Sequence, residues 1–459
     1  MMATTLGEVV AAVGGTLVGG DSSVFVTAVT SDSRAATKGS LFVALAGERA
    51  DGHDFVGPAV DRGAVAVLGS RATEAPTVVV ADVLQALGRL ARFHVDRLIE
   101  LTVVGITGSV GKTTAKDLTA AVLEAAGPTV SPPGSFNNEL GLPLTVLQAT
   151  ADTRYLILEM GARGRGHIRY LCEIAPPAIG VELGVGTAHL GEFGGTQAIA
   201  DSKAELVEGL PPTGTAILNR DDDLVTPMAG RTRAATLWFG HSRGSDVTAR
   251  DIRADRLDRA AFTLRTPEGS AAVELQYVGE HAVPNALAAA AVGVAVGMAP
   301  ESIAMALSGA TPRSRWRMEV TERPDGLVVI NDAYNASPES MRAALKSLKT
   351  IAAGRRCWAV LGEMRELGDR SVAEHDAIGR LAVRLDVQRL VVVGEGARPI
   401  YQAAGLEGSW GQESMFVPDV EGALGVLRTE LRSDDVVLVK ASRAVGLEAV
   451  ASEILAARP

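Results

Sequence analysis

Leu101-Thr102-Val103-Val104-Gly105-Ile106-Thr107-Gly108-Ser109-Val110-Gly111-Lys112-Thr113-Thr114 decides the fold. The first seven residues suit a short strand buried on both faces, and the residues from Lys112 onward suit a helix. Between them, glycines let the backbone curl until its N–H groups point inward, where they can cradle phosphate oxygens. Lys112 can reach the outer phosphates, Thr113 can hold Mg²⁺, and the helix N-terminus favours an anion. A strict G-x-x-x-x-G-K-[ST] loop would need glycine at 106, where Ile106 stands; the form present is T-G-x-x-G-K-T. Gly108, Ser109, Val110, Gly111, Lys112, Thr113 and Thr114 are therefore expected to bind a nucleotide. The loop implies phosphate binding and leaves open the reaction that follows.

Outward from this loop, β-branched runs at 101–107, 154–159, 178–183, 215–218 and 235–239 alternate with helical patterns, which predicts a parallel sheet covered on both faces. Runs at 261–264 and 271–277 flank Pro267-Glu268-Gly269 and read as a hairpin appended to that sheet. A helix is predicted over 284–298, and the Pro/Arg-rich passage 311–317 reads as a linker. A second α/β series follows, with strands at 327–332, 357–361, 389–393 and 435–440 and helices at 340–352 and 372–385. Before the loop, short strands at 23–29, 41–44, 64–68 and 77–80 accompany one helix, 81–99. The expectation is an α/β protein of three domains: 1–99, an N-terminal α/β module; 100–312, a central P-loop parallel-sheet domain; and 313–459, a Rossmann-like domain. Ligands of such sheets bind at the carboxyl ends of the strands.

The bulk composition removes several function classes. The formal charge of −10 argues against a broad hold on nucleic acid or on anionic membrane. Cys172 and Cys357 stand far apart in the chain, which favours a reducing compartment over a disulfide framework. No basic-then-apolar leader opens the sequence, and the apolar run 286–299 falls short of the ~20 residues a membrane span needs. A cytoplasmic protein with no membrane insertion is expected.

The loop's T-G-x-x-G-K-T form resembles that of the Mur ligase family, and further segments extend the likeness over nearly the full chain. Ser31-Asp32-Ser33-Arg34, followed by Gly39-Ser40-Leu41-Phe42-Val43-Ala44-Leu45 and Asp51-Gly52-His53-Asp54-Phe55, is similar to the N-terminal UDP-muramyl module of the later-acting members. Leu158-Glu159-Met160-Gly161-Ala162-Arg163 ends a strand, where a carboxylate can hold a hard cation beside phosphates. That segment and Asn331-Asp332-Ala333-Tyr334-Asn335-Ala336-Ser337 resemble the member that adds D-alanyl-D-alanine. Gly186-Thr187-Ala188-His189 and Ser202-Lys203-Ala204-Glu205 look like the family's second metal site, in which the lysine is carbamylated. Three departures stand out: Gly184 where an asparagine is common, Ser337 for asparagine and Ala441 for glycine.

The resemblance implies a UDP-binding N-terminal module, a central ATPase domain and a ligase that uses ATP and two Mg²⁺ ions. Its partners would be UDP-N-acetylmuramoyl-tripeptide and D-alanyl-D-alanine, joined through an acyl phosphate, by an enzyme expected to be monomeric. Carried onto this chain, the catalytic residues are Lys112, Glu159, His189, Lys203 and Arg315, the last reaching the γ-phosphate. Metal ligands are Thr113, Glu159, His189 and a carbamylated Lys203. Asn219, Asn285, Arg315, Asp332 and Asn335 complete the nucleotide site. Ser31, Asp32, Ser33, Arg34, Asn137, Asn138, Ser442 and Arg443 contact the substrates.

Overall fold

The computed structural model describes residues 1–47, 50–186, 195–409, 411 and 413–457. Its α/β architecture rests on three main sheets. The N-terminal sheet has five strands in the order Thr16–Val18, Thr77–Val79, Ala64–Gly69, Ser40–Val43, Ala28–Thr30, of which only the first runs antiparallel to its neighbour. The central sheet is wholly parallel: Ala235–Phe239, Thr215–Asn219, Ile179–Glu182, Thr102–Thr107, Tyr155–Glu159, Thr129–Val130. The C-terminal sheet orders Glu319–Glu322, Val328–Asn331, Val436–Lys440, Cys357–Leu361, Arg389–Val393, Ser414–Val417, with an antiparallel edge at its start.

Burial on both faces explains why the parallel strands read as continuous apolar runs. On one face Val104, Ile106, Ile157 and Val181 pack against the phosphate-loop helix Lys112–Glu124 and the alanine-rich helix Ala282–Ala295. Those two helices approach closely: a Cβ on Gly293 would lie 2.9 Å from Val122 Cγ1 and 2.8 Å from Ile303 Cγ1. On the other face Leu156, Leu158 and Met160 share one core with Leu87, Leu90 and Ala91 of the helix Val83–Asp96. The N-terminal and central sheets are thus joined by packing.

Three sequence expectations need correction. The hairpin is no appendage of the parallel sheet. Arg259–Thr266 pairs with Gly269–Val278 on one side and Thr248–Ala254 on the other in an antiparallel sheet of their own, whose inner residues Phe262, Leu264, Val273 and Leu275 join the helix-covered core. The N-terminal region holds helices Leu6–Val13 and Val56–Asp61 besides Val83–Asp96. The first was legible: Thr5 and Glu8 form a reciprocal capping box ahead of Leu6, Val9 and Val13, all buried. The C-terminal sheet also has two strands the sequence reading omitted, Glu319–Glu322 and Ser414–Val417, both short edge strands with partial exposure.

Candidate active site

Parallel strands bring their carboxyl ends to one rim, and Thr107, Glu159, Glu182 and Asn219 terminate four neighbouring strands there. The phosphate loop leaves this rim. Gly111 has φ +83, and a Cβ there would sit 2.4 Å from Asn285 Oδ1; Gly108, at φ +152, would drive one to 2.8 Å from Leu183 Cβ. Only glycine allows so close an approach with this backbone. Lys112 begins the helix and its Nζ donates to Gly108 O at 2.6 Å, so the ammonium lies over the loop. Burial lowers the pKa of Lys112, partly offset by the Glu159 charge. Ser109 N donates to Gly184 O at 2.9 Å, which ties the loop to the neighbouring strand end. Gly184 itself has φ +156, and a side chain there would meet Asp222 Oδ2 at 3.1 Å. The local backbone suits glycine.

A hydrogen-bonded chain crosses from this loop to the linker. Glu159, 1% exposed, accepts from Thr113 Oγ1 at 2.8 Å and from Asn137 Nδ2 at 2.8 Å. Thr113 Oγ1 lies 2.7 Å from Ser135 Oγ, which accepts from Arg317 Nη2 at 2.8 Å. The Arg317 guanidinium is stacked 4.2 Å over the Tyr334 ring, with its Nε buried and unpartnered among the described residues. Thr107 Oγ1, Ser109 Oγ and Glu182 Oε2 are likewise buried without partners there. Buried polar atoms are rarely left unsatisfied, so this cluster is a place prepared for a polar ligand.

The linker arginine therefore differs from expectation. Arg315 is exposed and is not brought to the phosphate loop; Arg317, two residues on, is. Arg313 is bound bidentately to Glu124 at 2.5 Å and anchors the linker to the phosphate-loop helix, as does Ser314 N, which donates to Asp117 Oδ2 at 3.1 Å. Three alternating arginines gave the sequence signal, and only packing distinguishes them. Ser135, in a Ser/Pro/Gly loop, was also missed.

Lys203 projects from the helix Thr196–Glu208 and is 5% exposed. Burial, then the nearby Lys112 charge, lowers its pKa, while Glu182 opposes the shift. Burial raises the Glu182 pKa, partly offset by the Lys203 charge. The rest of the Ser202–Glu205 motif is structural: Ser202 Oγ donates to Gly164 O, and Glu205 accepts from Gly166 N at 2.6 Å and Arg169 N at 3.0 Å, holding the start of His167–Ile174. His189 lies outside the described residues. A cleft of about 180 Å³ opens between Lys112 and Lys203 and is lined by Asn137, Asn138, Arg163 and His167, with Glu366 from the loop after the strand Cys357–Leu361. Asn138 Oδ1 accepts from Gly141 N at 2.9 Å, so its amide nitrogen is the group left for the cleft.

Other expected residues serve the framework. Asn219 donates to Leu183 O and accepts from Asp221 N, and Asn285 packs on Gly111 while donating to His281 O. Asp332 accepts from Met318 N at 3.0 Å and pairs with buried Lys440 at 2.5 Å; Lys440 also donates to Asn335 O. Both oxygens of Asp332 thus clamp the linker to the C-terminal sheet. Asn335 Oδ1 accepts from Ala336 N, Ser442 Oγ accepts from Arg365 N, and Arg443 pairs with Glu448 while covering Trp316 at 4.3 Å. Asp32 caps a short 3₁₀ turn and grips the exposed Arg34 through both carboxylate oxygens. That guanidinium holds the Asp32 pKa down to about 2. Ser31 and Ser33 flank it at the carboxyl end of Ala28–Thr30, and no hydrogen bond among the described residues links this turn to the phosphate loop.

Family descriptions agree with this layout in chain order. "Mur ligase family, catalytic domain" matches residues 25–95, "Mur ligase middle domain" 106–293 and "Mur ligase, glutamate ligase domain" 316–443. A UDP-N-acetylmuramoyl-tripeptide–D-alanyl-D-alanine ligase of Mycobacterium bovis is 50% identical over 93% of this chain and 91% of its own length. The chain belongs to the Mur ligase family. The Escherichia coli ligase of the same name is 34% identical over 98% of each chain. Among solved Mur ligases, a MurF crystal structure from Acinetobacter baumannii superposes with a TM-score of 0.87 at 32% identity over 99% of each chain. The Thermotoga maritima MurF ligase in complex with ADP gives 0.78 at 30% identity, covering 93% of this chain and 96% of that one. Among the described residues of this Mur ligase, no helix is long and apolar enough to cross a membrane.

Proposed function

We propose that this chain is an ATP-dependent ligase that joins the amine of D-alanyl-D-alanine to the terminal carboxylate of a UDP-N-acetylmuramoyl-tripeptide, in peptidoglycan precursor synthesis. The observation that carries the reading is the shared cleft onto which Lys112 of the phosphate loop, Lys203 and Glu366 of a C-terminal loop all open. A phosphate switch has no need for such a cleft; a ligase must bring a carboxylate, a triphosphate and an amine together in it. The enzyme is taken to act as a monomer in the cytoplasm, and the Ser31–Arg34 turn is assigned to the nucleotide end of the muramyl substrate.

Amide formation in water is uphill, so the carboxylate must first be activated. The tripeptide carboxylate attacks the γ-phosphate of ATP to give an acyl phosphate and ADP, and the dipeptide amine then displaces phosphate through a tetrahedral intermediate. The first step sets two anions against each other. Lys112, Arg317 and the helix N-terminus lower that repulsion and stabilise charge on the transferring phosphoryl group. Loss of one such contact commonly lowers the rate on the order of 10²–10³-fold.

Mg²⁺ fits the residues present: Thr113 Oγ1 and Glu159 Oε2 lie 2.8 Å apart, hard oxygen donors beside the buried, unpartnered Thr107 hydroxyl. When bound, it would neutralise phosphate charge there. A second ion would use His189 and Lys203. As an ammonium Lys203 offers a cation no ligand, but burial favours its neutral amine, the form that adds CO₂ to become a carbamate.

Phosphate release measured with ATP, UDP-muramyl-tripeptide and D-alanyl-D-alanine, each omitted in turn, tests the reading. Turnover should require all three. Equal release with ATP alone would sink the ligase and leave a nucleotide switch or motor.

A further inference from the structure

The phosphate-loop helix Lys112–Glu124 carries two opposite charges into the core, Lys116 at 1% and Asp117 at 3% exposure, and the mechanism above uses neither. Lys116 Nζ lies 2.6 Å from Asp117 Oδ1. Taking two charges out of water is costly, and apolar residues of similar volume often serve a core as well or better. Stability is a poor reason for such a pair; what it holds in place is a better one.

Each member has a second partner, and the two partners lie on different segments. Lys116 Nζ donates to Pro132 O at 2.6 Å, in the Ser/Pro/Gly loop. Asp117 Oδ2 accepts from Ser314 N at 3.1 Å, in the linker. Three residues beyond each anchor stands a side chain of the phosphate site: Ser135 after Pro132, and Arg317 after Ser314. Those two meet, Arg317 Nη2 donating to Ser135 Oγ at 2.8 Å. Ser135 Oγ in turn lies 2.7 Å from Thr113 Oγ1, on the helix that carries the pair. The contacts close a ring, from helix to loop, from loop to linker, and from linker back to helix.

The linker needs such a fixed point. Trp316 and Met318, on either side of Arg317, have φ +60 and +49, a left-handed region that residues with a Cβ avoid. From Trp316 onward the chain is bound to the C-terminal region: Tyr334 N donates to Trp316 O at 3.1 Å and Met318 N to Asp332 Oδ1 at 3.0 Å. Ahead of it the Tyr277 hydroxyl donates to Thr311 O at 3.1 Å, and Arg313 pairs with Glu124. That pair is exposed, and exposed ion pairs hold little. The buried bond from Ser314 to Asp117 sets where the linker leaves the helix.

We propose that Lys116 and Asp117 are positioning residues of phosphoryl transfer: as a pair they fix the Ser135 loop and the linker on the phosphate-loop helix, so that Arg317 and Ser135 stand at the transferring phosphate. They act through those two residues and touch no substrate themselves. The assignment rests on the ligase reading above, which supplies the reaction it concerns.

The test is a mutant cycle in the full-length enzyme, read by phosphate release with ATP, UDP-muramyl-tripeptide and D-alanyl-D-alanine, and by calorimetric titration with ATP alone. Lys116→Met combined with Asp117→Asn removes both charges and keeps most of their bulk. Its kcat should fall about 10–100-fold, the scale for a displacement near 1 Å at a reacting group. Its Kd for ATP should stay within about twofold of wild type, since the groups displaced act in the transition state. Added to Arg317→Ala, the same two changes should lower kcat no more than about threefold further, because the main group they position is already gone. Wild-type kcat in the folded double variant overturns the assignment. So does a full multiplicative loss in the Arg317→Ala background, or a fall in kcat matched by an equal loss of ATP affinity. If the double variant melts below the assay temperature, Lys116→Met alone, which leaves Asp117 to Ser314 N, goes through the same cycle. Should that variant also be unfolded, the pair serves the fold and the assignment falls. Wild-type protein that releases no phosphate with the three substrates sinks the ligase reading, and this assignment with it; normal wild-type turnover beside a normal variant sinks this assignment alone.

Discussion

Replacing Arg317 with alanine removes one end of the chain of hydrogen bonds that runs through Ser135 and Thr113 to Glu159. The loss in folding stability is small. One hydrogen bond to Ser135 contributes ~0.5–1.5 kcal/mol, and the stack on Tyr334 at 4.2 Å adds ~0.5–1 kcal/mol. Against the ~5–15 kcal/mol of an ordinary domain the variant stays folded. The catalytic loss should be larger, because a half-buried guanidinium tied to the phosphate-loop network is proposed to act on charge that develops only in the transition state. We expect kcat/KM to fall on the order of 10²–10³-fold, equivalent to ~3–4 kcal/mol. Arg315→Ala serves as the control: that side chain is exposed, so its variant should stay within ~0.5 kcal/mol of wild type. Both are measured by phosphate release with the three substrates, with a thermal melt of each protein alongside. An Arg315→Ala variant that loses as much activity as Arg317→Ala, with both folded, would refute the placement of the linker.

Lys203→Ala should lose most activity and regain part of it when formate or acetate is added, since a short acid can replace the two oxygens of a carbamate; full activity without additive would remove the modification from the mechanism. Gly111→Ala should weaken ATP binding about tenfold or more by titration calorimetry, since the left-handed backbone alone costs ~1–2 kcal/mol and the new Cβ would meet Asn285 Oδ1 at 2.4 Å; unchanged affinity would mean the loop binds no phosphate in this conformation. Cys172 and Cys357 are both buried, and burial pushes the Cys172 thiol up to about 12, so a thiol reagent at neutral pH should label neither in the native protein and both after unfolding. Fast labelling of Cys172 in the native state would contradict its packing.

Much of the architecture was legible locally. The phosphate loop, the parallel strands and the alanine-rich helix each announce themselves within a dozen residues, because backbone curl, two-sided burial and helix approach are short-range demands on residue type. The N-terminal capping box was equally local and was passed over. Edge strands such as Ser414–Val417 are half exposed, so they carry no continuous apolar run to find.

The site divides along the same line. Residue types and spacing alone marked Lys112 and Thr113, since a phosphate loop requires those groups where a strand gives way to a helix; Glu159 and Lys203 were marked only by the family resemblance. The sequence reading chose Arg315 where packing brings Arg317 to the phosphate-loop network, and it could not show that Asp332 is occupied by Lys440 and Met318 N. Those facts depend on which side chain meets which when separate sheets pack together. A residue's type sets the chemistry it can perform, but only long-range packing and the competition for partners decide what it faces.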